Sequence, residues 1–249
     1  MTRPGPGGRR TRELVNRPVT DVDGYLDVMG AAEVPQTTGQ RMMGSSVLPM
    51  IYEQLWRPVL FLGFTARNAA QENRHKMRLL DVRPGDTVLD VACGPGNTTR
   101  TLVSGVGAEG LAVGVDSSAT MLAQAVRDTP PDLPIGYVRA DAVDLPFDDG
   151  TFDAISCYGA LYLMDDPFGA LREMIRTLVP GGRIAVLTTC ARGPAPMRRI
   201  GVAASRWAPV RLFDVDEVSD VMRDAGLVEV TRNVSAVSQT ASGRRPGPR

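Results

Sequence analysis

The segment VLDVACGPGNTT, residues 88–99, gathers an acid and a glycine turn at the end of an apolar run. Gly94 and Gly96 let the backbone approach a ligand closely, and a helix opening there presents unpaired N–H groups with partial positive charge. A pyrophosphate, a carboxylate or another polar ligand fits such a seat, and so does a plain tight turn with no ligand. Asp90, four residues before Gly94, points away from phosphate, which it would repel, and toward a cationic group. The third glycine of a dinucleotide fingerprint would fall at Thr99, so the close packing which that glycine provides is not encoded.

Two more carboxylates follow. Asp116 closes GVDSS, where it can accept both hydroxyls of a ribose through charge-assisted bonds. NAD and S-adenosylmethionine both carry ribose, so Asp116 alone does not choose between them, and it also fits as an acid at a helix N-terminus. Asp141 opens the acidic loop of RADAVDLPFDDGTFDAISC, a feature that phosphate binding does not require.

In this order, VLDVACGPGNTT, GVDSSATML, ADAVDLPFDDGTFDAI and LVPGGRIAV resemble the successive motifs of class I S-adenosylmethionine-dependent methyltransferases, over about residues 80–190. The nearest likeness is to the small-molecule enzymes of ubiquinone and menaquinone biosynthesis. The resemblance implies that Asp90, Ala92, Gly94 and Gly96 hold the methionine end of S-adenosyl-L-methionine. It places Asp116 on the ribose, Ser117 and Met121 beside the adenosine, and Asp141 and Ala142 on the adenine. Cys157 and Tyr158 would line the floor near the sulfonium. The acceptor would be small and lipophilic, a quinone, polyketide or lipid-like molecule.

A sulfonium methyl is already activated, so alignment for in-line displacement supplies much of the catalysis. The sequence singles out no catalytic residue; Tyr158, Tyr52 and His75, the only histidine, are the candidates, and a solvent-facing helix position is the better explanation of His75. Tyr52, Trp56 and Tyr162 are candidate acceptor contacts, although packing explains such aromatic residues more often. An NAD-dependent dehydrogenase and a non-catalytic cofactor-binding module are the competing readings.

These residues need a sheet to align them. TVLDVAC, GLAVGVD, IGYVRAD, FDAISCY and RIAVLTT read as buried strands. SSATMLAQAVRD, DPFGALREMIRTL and DVDEVSDVMRDAGL carry apolar residues at helical spacing. VEVTRNVSAVSQTAS should supply the last one or two strands. Strands alternating with helices predict a doubly wound, mostly parallel, seven-stranded Rossmann-like α/β sheet, with ligands at the carboxyl ends of the strands. Residues 41–80 are expected to form a helical lid layer and 81–240 the cofactor-binding domain. Residues 1–40 and 241–249, rich in Pro, Gly and Arg, are expected to be disordered or extended.

The 249 residues carry 28 basic and 28 acidic side chains, so no global field favours nucleic acid. Lys76 is the only lysine. Cys93, Cys157 and Cys190 lack metal-site spacing, and no metal is expected. Without a leader sequence or a bilayer-length apolar run, a cytoplasmic monomer or homodimer acting on a small molecule is expected.

Overall fold

A computed structural model describes residues 6–30, 68–206, 208 and 210–247. Tyr52 and Trp56, and with them most of the expected helical layer, lie outside the described residues.

The elements, in chain order, begin with α1 (Pro6–Leu14), β1 (Thr20–Val22) and β2 (Tyr25–Asp27). There follow α2 (Ala69–Leu80), β3 (Thr87–Val91), α3 (Asn97–Val106), β4 (Leu111–Asp116), α4 (Ala119–Arg127), β5 (Ile135–Arg139) and β6 (Phe152–Tyr158). Beyond a short turn of 3₁₀ helix come α5 (Pro167–Thr177), β7 (Leu178–Thr189), α6 (Ala195–Ser205), α7 (Glu217–Asp224), β8 (Val228–Ser235) and β9 (Ser238–Arg244).

One sheet runs in the order β1-β2-β5-β4-β3-β6-β7-β9-β8. From β2 to β7 every neighbouring pair is parallel, while β1 and the β8–β9 hairpin run antiparallel. The fold class is the expected α/β Rossmann-like one, but the sheet has nine strands rather than seven. The two extra strands are a short hairpin that extends the β5 edge, with Leu26 opposite Val138.

Strand alternation divides the core between two faces. Leu89, Val113, Ile155 and Val186 pack with Leu171, Met174, Phe213 and Met222 beneath α5 and α7. Val88, Ala112, Ala154 and Ala185 pack with Leu80, Leu102 and Leu122 of α2, α3 and α4. Both faces of the parallel strands are therefore covered, as their nearly continuous apolar sequence requires.

The described parts of the two ends, residues 6–30 and 241–247, pack against the rest of the fold. Gly7 lies so close to Ile135 that an added Cβ would meet backbone at 2.1 Å, and Gly136 is equally tight against Thr11. Glycine thus seats α1 directly on β5. Arg10 donates to the carbonyls of Gly110 (2.7 Å) and Glu109 (3.0 Å), and Arg17 pairs with Asp144. At the other end, β9 pairs with β7 through Arg244, and Arg245 exchanges backbone bonds with Gly181 and Gly182. Contacts distant in sequence provide the ordering that local composition does not.

Candidate active site

Helix α2 starts with a capping box, in which Asn68 and Gln71 each accept the other's backbone N–H. It ends on Asp81 in the left-handed conformation. That helix carries His75, half-buried, and Lys76, which is only 2% exposed. The Lys76 ammonium donates to the Thr98 hydroxyl at 3.1 Å and lies 4.8 Å from the centre of the Tyr158 ring, a cation–π arrangement.

At the end of β3 the chain turns through Ala92, Gly94 and Gly96, all with positive φ. Gly94 has open space where a Cβ would stand. Gly96 is the N-cap of α3 and supplies no side-chain cap. A Cβ on Gly96 would meet the Tyr137 hydroxyl at 2.4 Å, and one on Gly114 would meet the Tyr137 ring at 2.7 Å. Tyr137 therefore fills the space behind the turn, and its hydroxyl is shared with Thr129 at 2.9 Å.

Asp90 stands behind this turn, 2% exposed, and both its oxygens are engaged. One accepts the Thr99 hydroxyl at 2.7 Å, the other the Ser156 hydroxyl at 2.6 Å. Burial raises its pKa above the ordinary carboxylate range, and the Lys76 charge and the two hydroxyls offset only part of that rise. Thr99, fully buried, takes the position of a third glycine with a hydroxyl aimed at Asp90.

Asp116 closes β4 and organises the neighbouring turn. Its two oxygens accept the Gly94 N–H and the Ser118 N–H, each at 2.9 Å. Burial raises its pKa too, against those two donors, with repulsion from Asp90 adding to the rise. Ser118 caps α4 by accepting from Met121 N–H. Asp141, past the end of β5, accepts Val143 N–H at 3.1 Å beside Ala142.

The carboxyl ends of β5, β4, β3 and β6 adjoin in that order. They bring Asp141, Ala142, Asp116, Ser117, Met121, Ala92, Gly94 and Tyr158 to one edge, all half-buried. The order reverses between β3 and β6, the place where an open α/β sheet forms its ligand crevice. Tyr162 lies beyond, its hydroxyl 3.8 Å from where a Cβ on Gly159 would stand. Its carbonyl accepts Arg211 N–H, and the Arg211 guanidinium stacks on Phe168 and Phe213 at 4.9 and 4.8 Å.

Cys157 is expected, with Tyr158, on the floor near the sulfonium. It is fully buried in the core face containing Leu161, because strand alternation turns it away from the side of Tyr158. Burial pushes its thiol up to about 12. Lys76 was not among the expected site residues; its signal in the sequence was its rarity, a lone lysine among 27 arginines. Among the described residues, no group of three or more His, Cys, Asp or Glu is arranged to hold a metal ion.

The fold and this edge are similar to those of S-adenosylmethionine-dependent methyltransferases. Residues 89–186 match the family model described as a methyltransferase domain. The demethylmenaquinone methyltransferase of Staphylococcus epidermidis is 38% identical over 116 residues, covering 47% of this chain and 48% of that protein. The 2-phytyl-1,4-naphtoquinone methyltransferase of Thermosynechococcus vestitus is 43% identical over 109 residues, covering 43% and 48%. The chain thus spans about half the length of the curated relatives it matches. Among solved structures, the [4+2]-cyclase SpnF superposes with a TM-score of 0.66 at 17% identity, covering 87% of this chain and 100% of that one. An S-adenosylmethionine-dependent methyltransferase from Aquifex aeolicus gives 0.55 at 20%, covering 74% and 91%. These structural likenesses concern the fold alone, and a cyclase among them illustrates that fold does not settle reaction.

Proposed function

We propose that the protein transfers a methyl group from S-adenosyl-L-methionine to a small, lipophilic acceptor of quinone type. The observation that carries this reading is the line of Asp141, Asp116 and the Gly94–Gly96 turn along adjacent strand ends, with ionisable Asp90 buried behind it. The quinone-directed names of the relatives supply the acceptor class.

The donor brings an electrophilic methyl on a sulfonium; the chain's residues bind and orient it. In this reading Gly94 and the first turn of α3 face the donor's carboxylate end, where backbone N–H groups suit an anion. Asp116, fixed by Gly94 and Ser118, retains lone pairs for the ribose hydroxyls. Asp141 and Ala142 take the adenine, and Ser117 and Met121 the adenosine beside it. Asp90, with both oxygens occupied, acts through its field and by holding β3, α3 and β6 in register. Tyr158 and Tyr162 border the space for the acceptor, with His75 and Tyr158 the described candidates for its proton. The acceptor would give an electron pair, a lone pair on a hydroxyl oxygen or the π pair of a quinol ring carbon, to the donor's methyl carbon as the carbon–sulfur bond breaks. The bond pair stays on sulfur, leaving a neutral thioether, and the acceptor proton passes to a base or to water.

Calorimetric titration with S-adenosylmethionine and NAD, followed by incubation of labelled donor with reduced naphthoquinones, tests this reading. Binding of the methyl donor alone, with label appearing in the quinol, supports it. Preference for NAD would establish the dehydrogenase reading, which the buried Thr99–Asp90 bond at the third-glycine position already disfavours. Donor binding without transfer to any acceptor would leave a binding module.

A further inference from the structure

We propose that α6, together with the β8–β9 turn, is a docking surface for an anionic lipid membrane. Six large hydrophobic side chains are exposed among the described residues, and four of them, Met197, Ile200, Val210 and Val237, belong to this region. Met197 and Ile200 are 71% and 69% exposed. The turn joins the same surface, since Cys190 N–H donates to the Val237 carbonyl and Arg192 donates to the carbonyl of Ala236.

The helix divides cleanly. Arg198, Val202 and Ser205 face the body of the protein, with Val202 and Ser205 buried. Met197, Ile200, Ala203 and Ala204 face away and are exposed. Arg199 and Arg206, two turns apart, flank that stripe on one side and are exposed as well. Eleven residues make a cylinder about 16 Å long, enough to lie along a bilayer surface and too short to cross it.

Charge selects the partner. Residues 191–213 hold five arginines and no acidic residue, in a chain whose charges balance as a whole. Arg198 is paired with Asp214 and Arg211 with Glu217, leaving Arg192, Arg199 and Arg206 as the outward cations. An apolar stripe beside arginines is the pattern of an interfacial helix, whose hydrophobic face enters the acyl boundary while cations meet lipid phosphates. A nucleic acid would meet the cations but gain nothing from Met197 and Ile200.

The position has a functional consequence. Ser238 pairs with Thr189 at the carboxyl end of β7, and α6 follows that end directly. The surface therefore lies on the same edge of the sheet as the candidate site, and a docked protein would turn that edge toward the lipid.

Co-sedimentation of the full chain with phosphatidylcholine vesicles, with and without phosphatidylglycerol, tests the proposal. The chain should partition to the anionic vesicles and be released by salt. Met197→Ser with Ile200→Ser, and separately Arg199→Glu with Arg206→Glu, should each weaken partition roughly tenfold or more. Thermal melting and titration with S-adenosylmethionine should remain as in the parent, because these side chains stand in solvent. Absence of vesicle binding by the parent, or equal binding by both variants, would overturn the proposal. So would a parent dimer that the Met197/Ile200 change dissolves without altering vesicle binding, since a second copy would then own the surface. Loss of donor binding by the parent itself bears on the methyl-transfer reading and not on this one.

Discussion

Thr99 donates its hydroxyl to Asp90 at 2.7 Å, tying the first turn of α3 to the strand beneath it. Both residues are almost wholly buried, so the bond replaces water that Asp90 cannot reach. Thr99→Val keeps the shape and removes the donor. Leaving a buried carboxylate short of one partner costs about 1–3 kcal/mol, and urea denaturation should show that loss. Unchanged stability would mean that Asp90 finds another donor.

The turn at Gly96 should tolerate no side chain. Its left-handed φ of 78° costs a non-glycine residue roughly 1–2 kcal/mol, and the Tyr137 hydroxyl occupies the space where a Cβ must go. Gly96→Ala should lower thermal stability and weaken donor binding. Tyr137→Phe in the same chain should restore part of both, because it removes the clashing atom and leaves the ring. If the double variant is no better than Gly96→Ala alone, the clash is not the cause.

Burial raises the pKa of both Asp90 and Asp116 above the usual 3.8. Between that value and the raised ones, the folded chain holds protons that the unfolded chain has lost, so the contribution of these groups to stability falls as pH rises through the window. Cation binding has the opposite demand, since it needs the ionised form. Donor affinity should therefore weaken as pH falls through the window, and uptake of the donor above it should need no proton release. An Asp116→Asn chain should bind the donor weakly and with a flatter pH profile. Calorimetry across the acidic range reads both, and an Asn variant with the parental profile would contradict the assignment.

The three thiols should be inert in the native protein. Cys93, Cys157 and Cys190 are buried, and each has its pKa raised by burial first of all. At mildly alkaline pH a disulfide reagent should label them slowly, and quickly once denaturant is present. Rapid stoichiometric labelling of the folded chain would show that one of them reaches solvent.

The central strands were legible because their sequences are apolar on both faces, and the carboxylates because each ends such a run. Asp90, Asp116 and Asp141 could be placed at strand ends with no coordinates. Their bonding could not: that Asp90 would spend both oxygens on Thr99 and Ser156 depends on α3 and β6 meeting at β3. Strand β9, SQTASGR, reads as polar, yet Ser238, Gln239 and Thr240 are buried because they pair with β7. Glycines of the opening segment read as disorder, since only the approach of β5 shows what Gly7 is for. Lys76 was visible as a number and not as a position.

The N-terminal hairpin has a consequence for the order of assembly. Asp27 receives the Arg139 guanidinium at 3.1 Å across 112 positions of sequence, and Arg10 reaches the Gly110 carbonyl across 100. On a ribosome the β1–β2 hairpin must therefore wait, without its neighbour in the sheet, until β5 has been made. Contacts so distant close late and slow folding. A hairpin made before β5 is thus secured only after it, and a nascent chain halted before residue 135 would carry β2 paired with β1 alone.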